Sequence, residues 1–299
     1  EMQRSLVGSE MCIRDRFMQA LFEGIINGST LALVAMGIAL VWGVMGILSF
    51  TQGEFLMIAM FCSFYLNLYF GLDPIVSLPI CMAIMFGIGF IVYKLIIARA
   101  LRGPVLSQRL ITFALSMVLV NLALLLFSGD FKTIPEVAIS GSIDLGFMVL
   151  SKQKIVPFVI SVCVAGFMFL FLNKTRTGKA IRATSMNKTA AGLVGINPEK
   201  TYALAFGLSA AIAGAAGCAL TYFYYIYPNV GANFQLFGFI AVVMGGFGSI
   251  PGAFFGGLIM GLADSFTGVY MNTAFKYVGI CVVFLLLVQF KPKGLFGGK

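Results

Sequence analysis

Residues 175–200 read TRTGKAIRATSMNKTAAGLVGINPEK and form a polar, basic island in an otherwise apolar chain. An apolar run at residues 155–172 precedes the island, and another begins at Tyr202. Lysine and arginine collect in the cytoplasmic loops of membrane proteins. The island is therefore predicted to lie on the cytoplasmic side of a membrane, where a soluble partner can bind it.

The composition is that of a membrane protein. Of the 299 residues, 60% are hydrophobic and 10% are charged, whereas soluble domains carry about 25% charged residues. Several apolar runs reach the roughly 20 residues that a helix needs to cross a bilayer. The alternating segments of about ten residues that mark a β-barrel are not found in the sequence. The sequence predicts an all-α polytopic membrane protein.

The composition also limits the chemistry. The chain has no histidine, which excludes histidine-based metal sites, catalytic triads and proton relays. Its six cysteines form no CxxC pair and, apart from Cys12, lie in apolar runs, so they are predicted to be buried hydrophobic residues. Cytoplasmic loops explain the net charge of +9 better than nucleic-acid binding does. No catalytic, metal-binding or cofactor-binding residue is predicted.

Residues 1–16 differ in composition from the rest of the chain. Their second part, LVGSEMCIRDR at residues 6–16, is charged and resembles an in-frame translation of a transposase sequencing adapter. We therefore predict a non-native extension at residues 1–16, which is left out of fold reasoning, followed by a membrane domain at residues 17–299. The alternative is a genuine basic N-terminal tail.

Charge asymmetry assigns the loops to the two sides of the membrane. The predicted cytoplasmic loops are residues 99–109, the island and the C-terminal tail, and the predicted external loops are residues 128–154 and 228–233. This order requires the glycine-rich run at residues 237–266 to enter and leave the membrane, hinged around residues 248–251. A similar break falls at residues 48–54. The sequence thus predicts about eight transmembrane helices with broken or re-entrant segments, which are typical of transporters.

The island carries the signals of a short helix. Thr177 is predicted to cap its N-terminus and Gly195 to end it, and Asn197 with Pro198 begins the next helix. One face carries small and apolar side chains, namely Ala183, Met186, Ala190 and Leu193. Small residues bury little area in lipid but allow close docking into a protein groove, so the pattern favours a docking helix. The alternative is an amphipathic helix that rests on lipid headgroups.

Three motifs together resemble a known family. The island contains R-T-G-x-x-x-R-A and then A-x-x-x-G-I-N, at Arg176, Thr177, Gly178, Arg182, Ala183, Ala191, Gly195, Ile196 and Asn197. The other two motifs are LSFTQGE at residues 48–54 and GFGSIPGAFFGG at residues 246–257. The three motifs occur along the chain in the same order as in the family. Over residues 18–290 the chain resembles the branched-chain amino acid ABC permeases of the LivH type. Departures at Ser49, Thr51 and Gln52 leave the exact substrate open.

The resemblance implies the permease subunit of an ATP-binding-cassette importer in the bacterial inner membrane. Such an importer combines two related permeases, two cytoplasmic ATPases and an external binding protein, and it moves branched-chain or related amino acids by alternating access. The island would be the cytoplasmic coupling helix, with these coupling residues: Arg176, Gly178, Arg182, Ala183, Ala191 and Gly195. The chain has no GxxxxGK[ST] motif, so ATP is expected to bind the partner subunits and no cofactor is expected on this chain.

Polar residues and glycines at membrane depth are candidates for the translocation path. The candidates are Gln52, Glu54, Asn121, Gly248 and Ser249. Charged groups at membrane depth tend to face a water-filled path. For Glu54, stabilisation by the positive end of a helix dipole is an equal alternative. For Asn121 the alternative is a hydrogen bond to a neighbouring helix, and for the glycines it is helix packing.

A second class of function stays open from the sequence alone. An ion-coupled secondary transporter of small polar solutes would also use broken helices. Such transporters more often carry paired intramembrane charges, and the central spans here are nearly charge-free. An intramembrane enzyme has little support without histidine or an acid pair within a span, so the chain is not expected to be an enzyme. Co-purification with an ATPase would separate the importer from the secondary transporter.

Overall fold

The structure is a computed structural model that describes residues 2–134, 141–144, 149–271 and 275–296, with side chains described for residues 16–134, 141, 151–271 and 275–296. The helices are α1 (Met2–Met45), α2 (Gln52–Phe70), α3 (Pro74–Val92), α4 (Ala98–Ala100), α5 (Val105–Phe127), α6 (Lys152–Lys174), α7 (Arg176–Met186), α8 (Lys188–Leu193), α9 (Pro198–Leu220), α10 (Val230–Gly245), α11 (Ile250–Tyr270) and α12 (Lys276–Phe290). A π-helical turn, Tyr93–Ile97, joins α3 to α4.

The predicted all-α membrane architecture is confirmed. Within the described residues, seven helical segments are long and apolar enough to cross a membrane, and α10 and α12 are shorter apolar helices. The spanning part of α1 is Arg16–Met45. One feature was not predicted: strands β1 (Ser142–Asp144) and β2 (Val149–Ser151) form a small antiparallel sheet. Whether residues 1–16 belong to the native chain stays a prediction.

Helix α9 and the part of α1 from residue 16 onward form the centre of the molecule, and most of their side chains are buried. Glycines let neighbouring helices pack closely against them. A Cβ on Gly28 of α1 would come within 2.9 Å of the Leu258 carbonyl oxygen of α11, and a Cβ on Gly207 of α9 within 3.0 Å of the Phe86 ring of α3. The core therefore depends on backbone approach rather than on large interlocking side chains.

Contacts between loops group them into two ends, in agreement with the charge pattern. At one end, Arg102 pairs with Glu199 at 3.6 Å, which joins the loop after α4 to the start of α9. At the other end, Lys132 after α5 forms a β-bridge with Ile226 after α9. We call the first, arginine-rich end the inner end and the second the outer end, following the preference of basic residues for the cytoplasmic side.

Candidate translocation core and coupling surface

The first break in the helical core covers residues 46–51, which overlaps the predicted break at residues 48–54, although residues 52–54 already belong to α2. Helix α1 ends where Gly46 adopts a left-handed φ of 68°, a conformation that glycine adopts without strain. The chain then runs without helical structure until α2 begins at Gln52. Ser49, Thr51 and Gln52 are all buried here. Non-helical backbone at membrane depth needs internal hydrogen-bond partners because no water reaches it.

A glutamine from another helix supplies these partners. The backbone N–H of Gly53 donates to Oε1 of Gln235 at 2.6 Å, and Nε2 of Gln235 donates to the Ser49 carbonyl oxygen at 3.0 Å. Gln235 lies in α10 and is itself buried. Sequence analysis missed this residue, although an isolated glutamine in an apolar helix is a signal that could have identified it.

The first turns of α2 and α10 cross in direct backbone contact. A Cβ on Gly53 would overlap the carbonyl oxygen of Gly231, and a Cβ on Gly231 would overlap that of Gly53. Ser209 is the middle residue of α9, and its hydroxyl donates to the Gly37 carbonyl oxygen of α1. Gln52 lies beside Gly37. The crossing therefore lies at the depth of the helix centres. Two helices therefore begin at mid-depth, α2 running to the outer end and α10 to the inner end.

Gln52 and Glu54 lie together in this crossing. Ser116 of α5 donates to Oε1 of Glu54 at 3.0 Å. Among the side chains that the structure describes, none hydrogen-bonds Oε2 of Glu54 or either amide atom of Gln52, and both residues are at most 2% exposed. Buried polar atoms without partners are costly. An arrangement that retains them is suited to a second conformation in which they become solvated.

Asn121 is not part of this cluster. Its side chain is exposed on α5, and Nδ2 donates to the carbonyl oxygen of Met117 in the same helix at 2.7 Å. Among the described residues, its side chain makes no hydrogen bond to a neighbouring helix. The sequence pattern shows that a residue lies within a span, but it does not show the direction in which the side chain points.

The second break covers residues 246–249 and differs in its surroundings. Gly246 and Gly248 adopt φ values of 103° and 79°, and Ser249 caps α11 by accepting a bond from the Gly252 N–H at 3.1 Å. Gly248 is exposed. The C-terminal tail reaches this break, since Phe296 N–H donates to the Gly245 carbonyl oxygen at 3.0 Å. These contacts place the second break at the inner end.

The second break contacts the end of α1. The rings of Trp42 near the end of α1 and of Phe247 are 4.7 Å apart. The Gln52 cluster, however, lies at the opposite end of α10, a helix of 16 residues and hence about 24 Å long. Gly248 and Ser249 are thus not brought together with Gln52 and Glu54.

The basic island folds into two helices rather than the single predicted one. Asn187 interrupts it and caps α8, with Oδ1 accepting from the N–H groups of Thr189 and Ala190, each at 3.0 Å. The cap of α7 is Thr175 rather than Thr177, because its hydroxyl accepts from the Gly178 N–H at 3.0 Å. Asparagine competes with the helix for backbone hydrogen bonds, which explains the interruption.

The two end signals of the island were predicted correctly. Gly195 follows α8 with a left-handed φ of 84°. Asn197 caps α9, accepting from the Lys200 N–H at 3.2 Å, and Pro198 is the first residue of that helix. These signals depend only on local backbone chemistry, so the sequence is sufficient to place them.

The island has an inward face and a free face. Gly178, Ile181, Thr184 and Ala191 are buried, and a Cβ on Gly178 would overlap the backbone of α6. Three apolar side chains point away from the molecule: Met186 and Leu193 are each 88% exposed and Val194 is 79% exposed. Of the predicted coupling residues, Gly178 and Ala191 seat the island, Ala183 is half-buried, and Arg176, Arg182 and Gly195 are exposed.

A cleft of about 260 Å³ separates the island from the second break. Its walls include Ile181 and Arg182 of α7, Gly43 of α1 and residues 248–251. Arg182 is held toward α6 by a bond from Nη1 to Oδ1 of Asn173 at 2.6 Å. Helix α7 therefore lies across this cleft from the end of α1 and the start of α11.

Comparison with known proteins agrees with the three motifs. Residues 20–288 match the family described as branched-chain amino acid transport system / permease component. BraD of Pseudomonas aeruginosa, a high-affinity branched-chain amino acid transport system permease protein, is 32% identical over 297 residues, covering 94% of this chain and 96% of BraD. LivH of Salmonella typhimurium, which carries the same description, is 32% identical over 295 residues with the same coverage.

The fold also has a counterpart among solved structures. The structure of PsaBC from Streptococcus pneumoniae in complex with Fab matches with a TM-score of 0.50 at 15% identity, covering 96% of this chain and 98% of that one. The match concerns the fold alone. Relatives similar over nearly their full length are transport permeases, which disfavours the secondary transporter. The chain belongs to the branched-chain amino acid transport system permease family.

Proposed function

We propose that this chain is one of two related permease subunits in an importer of branched-chain amino acids in the bacterial inner membrane. The importer would include two cytoplasmic ATPases, which bind the ATP, and an external substrate-binding protein. The observation that carries the proposal is the free apolar face of the island, formed by Met186, Leu193 and Val194. Apolar side chains this exposed in a polar loop are typical of a docking site for another protein.

The island is suited to transmit force from an ATPase. Gly178 seats α7 directly on the end of α6, so a push on the free face moves a rigid unit. The cleft beside Arg182 leads from this unit to the second break and the end of α1. The predicted coupling residues thus divide into those that seat the island, Gly178 and Ala191, and those that an ATPase can reach, Arg176 and Arg182.

The crossing of α2 and α10 is suited to act as the gate. It is closed by backbone contact between Gly53 and Gly231 and by the two hydrogen bonds of Gln235. Motion of α10 would separate the contacts and open Gln52 and Glu54 to water. Alternating access in transporters arises from such movements around broken helices at mid-depth.

Docking is tested by placing charge on the free face. We expect Leu193→Glu combined with Val194→Glu to prevent co-purification with the ATPases and to abolish ATP-dependent leucine uptake, while membrane levels stay normal. Tyr225→Glu, which replaces an apolar side chain 61% exposed at the outer end, is the matched control. Wild-type ATPase binding and uptake in the double variant would show that the island is not the coupling surface.

Substrate and energy source are tested together. The complete importer, reconstituted with its binding protein, is expected to take up radiolabelled leucine, isoleucine and valine only when ATP is supplied. Urea and short amides are the comparison substrates. Uptake that follows an ion gradient without ATP would instead identify a secondary transporter.

A further inference from the structure

A second cavity lies at the outer end of the molecule. Its volume is about 390 Å³, within the range of about 300–1,000 Å³ that is usual for small-molecule sites. Lys154 at the start of α6 and Tyr224 after α9 line it at the outer end. Its deeper walls come from α1, α10 and α12, with Leu31, Phe234 and Ile280 each at most 8% exposed. The cavity therefore leads from the outer surface to central helices.

Charges of both signs line the cavity. Nζ of Lys276 lies 3.6 Å from Oδ2 of Asp264, and both side chains line the cavity. Lys154 also lines it and is held at 3.0 Å by Glu23 from α1. All four side chains are between 24% and 36% exposed, so neither pair is sealed from a ligand. The charged lining residues are Lys154, Lys276 and Asp264, and Glu23, which lies outside the lining, neutralises Lys154, so the four side chains together carry no net charge.

Two further polar groups in the cavity have no protein partner. Among the described residues, nothing hydrogen-bonds the side-chain amide of Asn27 or the hydroxyl of Tyr224, and both line the cavity. Burial, with smaller contributions from Tyr227, Tyr277 and Asp264, raises the pKa of the Tyr224 hydroxyl. That hydroxyl therefore stays protonated at neutral pH and is available as a donor.

We propose that this cavity binds the transported amino acid within a single permease subunit, as a zwitterion with an apolar side chain. The α-ammonium group donates to Asp264, and the α-carboxylate accepts from Lys276, Lys154 or Asn27. The side chain packs against Leu31, Phe234 and Ile280. This inference rests on the proposed function and assigns it a site.

The chemistry of the walls selects the ligand class. A site with balanced charges favours a neutral zwitterion over an acidic or basic amino acid, because an extra charge would remain unpaired in a partly desolvated place. The apolar walls favour aliphatic side chains by burying their surface. A lipid headgroup also carries both charges, but its acyl chains need a continuous path that the buried floor of Leu31 and Ile280 does not provide.

The cavity also touches the gate. Phe234, one of its walls, is adjacent in α10 to Gln235, which closes the first break. The ring of Phe234 packs against Tyr224 with a centroid distance of 5.2 Å. An occupant that displaces Phe234 therefore moves the helix turn on which the crossing depends.

The experiment measures leucine binding to the purified importer complex without its binding protein. Lipid nanodiscs are prepared from phosphatidylcholine and, separately, with phosphatidylethanolamine. We expect radiolabelled leucine to bind in both, with competition by isoleucine and valine but not by isoamylamine or 4-methylpentanoate, which each lack one of the two charged groups. Asp264→Asn and Lys276→Gln should each weaken leucine binding about tenfold or more, and Lys152→Gln, an exposed residue outside the cavity, should not.

A third variant leaves the charged residues unchanged and tests whether lost leucine binding results from misfolding. Ile280→Trp fills the cavity and should abolish leucine binding while the complex keeps its size-exclusion profile. Wild-type leucine affinity in all three cavity variants would overturn the inference. Variants that change the retained lipid but not leucine affinity would do the same and identify a lipid site. ATP-dependent uptake by the wild type is scored separately, so the cavity can fail while the proposed function stands.

Discussion

The two breaks in the helical core both contain a glycine in the left-handed region but lie in different environments. The first break runs from the exposed Gly46 to the buried Thr51, and Gln235 of α10 hydrogen-bonds the backbone at its buried end. Residues 246–249 lie at the inner end, where Ser249 caps α11 locally and the C-terminal tail hydrogen-bonds the Gly245 carbonyl oxygen. The first break thus depends on a side chain from α10, whereas the second combines a local cap with contacts from the tail.

This difference indicates two separate roles for glycine-rich interruptions. At membrane depth no water reaches the backbone of a break, so a side chain from another helix must supply its hydrogen-bond partners. The break is therefore coupled to the position of that helix. At the surface, a capped turn can be displaced without exposing unpaired groups. The inner break is therefore suited to receive force from the island, and the buried break is suited to respond as a gate.

The largest contrast is expected for leucine substitutions in the two breaks. Gly53→Leu places a side chain into the carbonyl of Gly231, and no space is available because both partners are backbone. We expect no monodisperse protein from this variant. A Cβ on Gly248 would meet the Cα of Gly43 at 3.4 Å, an ordinary van der Waals contact, so Gly248→Leu mainly carries the left-handed strain of about 1–2 kcal/mol. Size-exclusion chromatography of detergent extracts compares the two, and equal recovery would contradict the assignment of a tight crossing.

Thiol accessibility should separate the breaks while the protein stays folded. In a background without native cysteines, Gly248→Cys should react quickly with a water-soluble thiol reagent, because the position is exposed. Gln52→Cys should react at least about tenfold more slowly without nucleotide, since it is fully buried, and faster during ATP turnover. Equal rates at both positions in the resting complex would show that the crossing is open rather than closed.

A moderate effect is expected when the two hydrogen bonds from the Gln235 side chain to the first break are removed. Gln235→Leu leaves the Gly53 N–H and the Ser49 carbonyl unpaired in a buried site. The free energy of unfolding should fall by about 2–4 kcal/mol, as measured by denaturant titration in mild detergent. The matched control is Gln108→Leu, because the amide of Gln108 donates to the Gly103 carbonyl oxygen in the partly buried loop after α4. A loss no greater than that of the control would mean that Gln235 is not the support of the first break.

The smallest effect is expected for the local cap of the second break. Ser249→Ala removes the acceptor for the Gly252 N–H and should lower the free energy of unfolding by about 1 kcal/mol. Ser249→Asp, which can cap in the same way, should restore the wild-type value. A loss as large as that of Gln235→Leu would place the second break in the core as well.

Local signals were sufficient where the structure depends on local chemistry. The two interruptions, the turn at Gly195 and the Asn197–Pro198 helix start were all predicted. Thr175 and Thr177 are both possible N-caps of α7. Thr175 is the cap because α6 ends just before it, where its hydroxyl donates to the Phe171 carbonyl oxygen and accepts from the Gly178 N–H. Asn187 was overlooked because one asparagine in a short helix is tolerated or disruptive according to its surroundings.

Tertiary signals were not available from the sequence. Gln235 and Gly53 are 182 positions apart, so no local pattern joins them. Asp264 and Lys276 flank residues 272–274, which lie outside the described part, and their common cavity depends on how α11 packs against α12. The candidates Gln52 and Glu54 were found because a charge beside a glycine in an apolar run is conspicuous, but their enclosure by α5 and α10 was not predictable.

The pairing of α1 with α11 has a consequence for biosynthesis. Gly28 contacts Leu258, 230 positions later (258 minus 28). At translation rates of about 5–20 residues per second, α1 waits roughly 10–45 seconds in the membrane before its main neighbour is made. If the face of α1 that packs against α11 were polar, its side chains would lack hydrogen-bond partners throughout that interval. A face of glycine and alanine needs no such partners and is tolerated by lipid. The small-residue face of α1 thus lets the first helix be inserted alone and completed late.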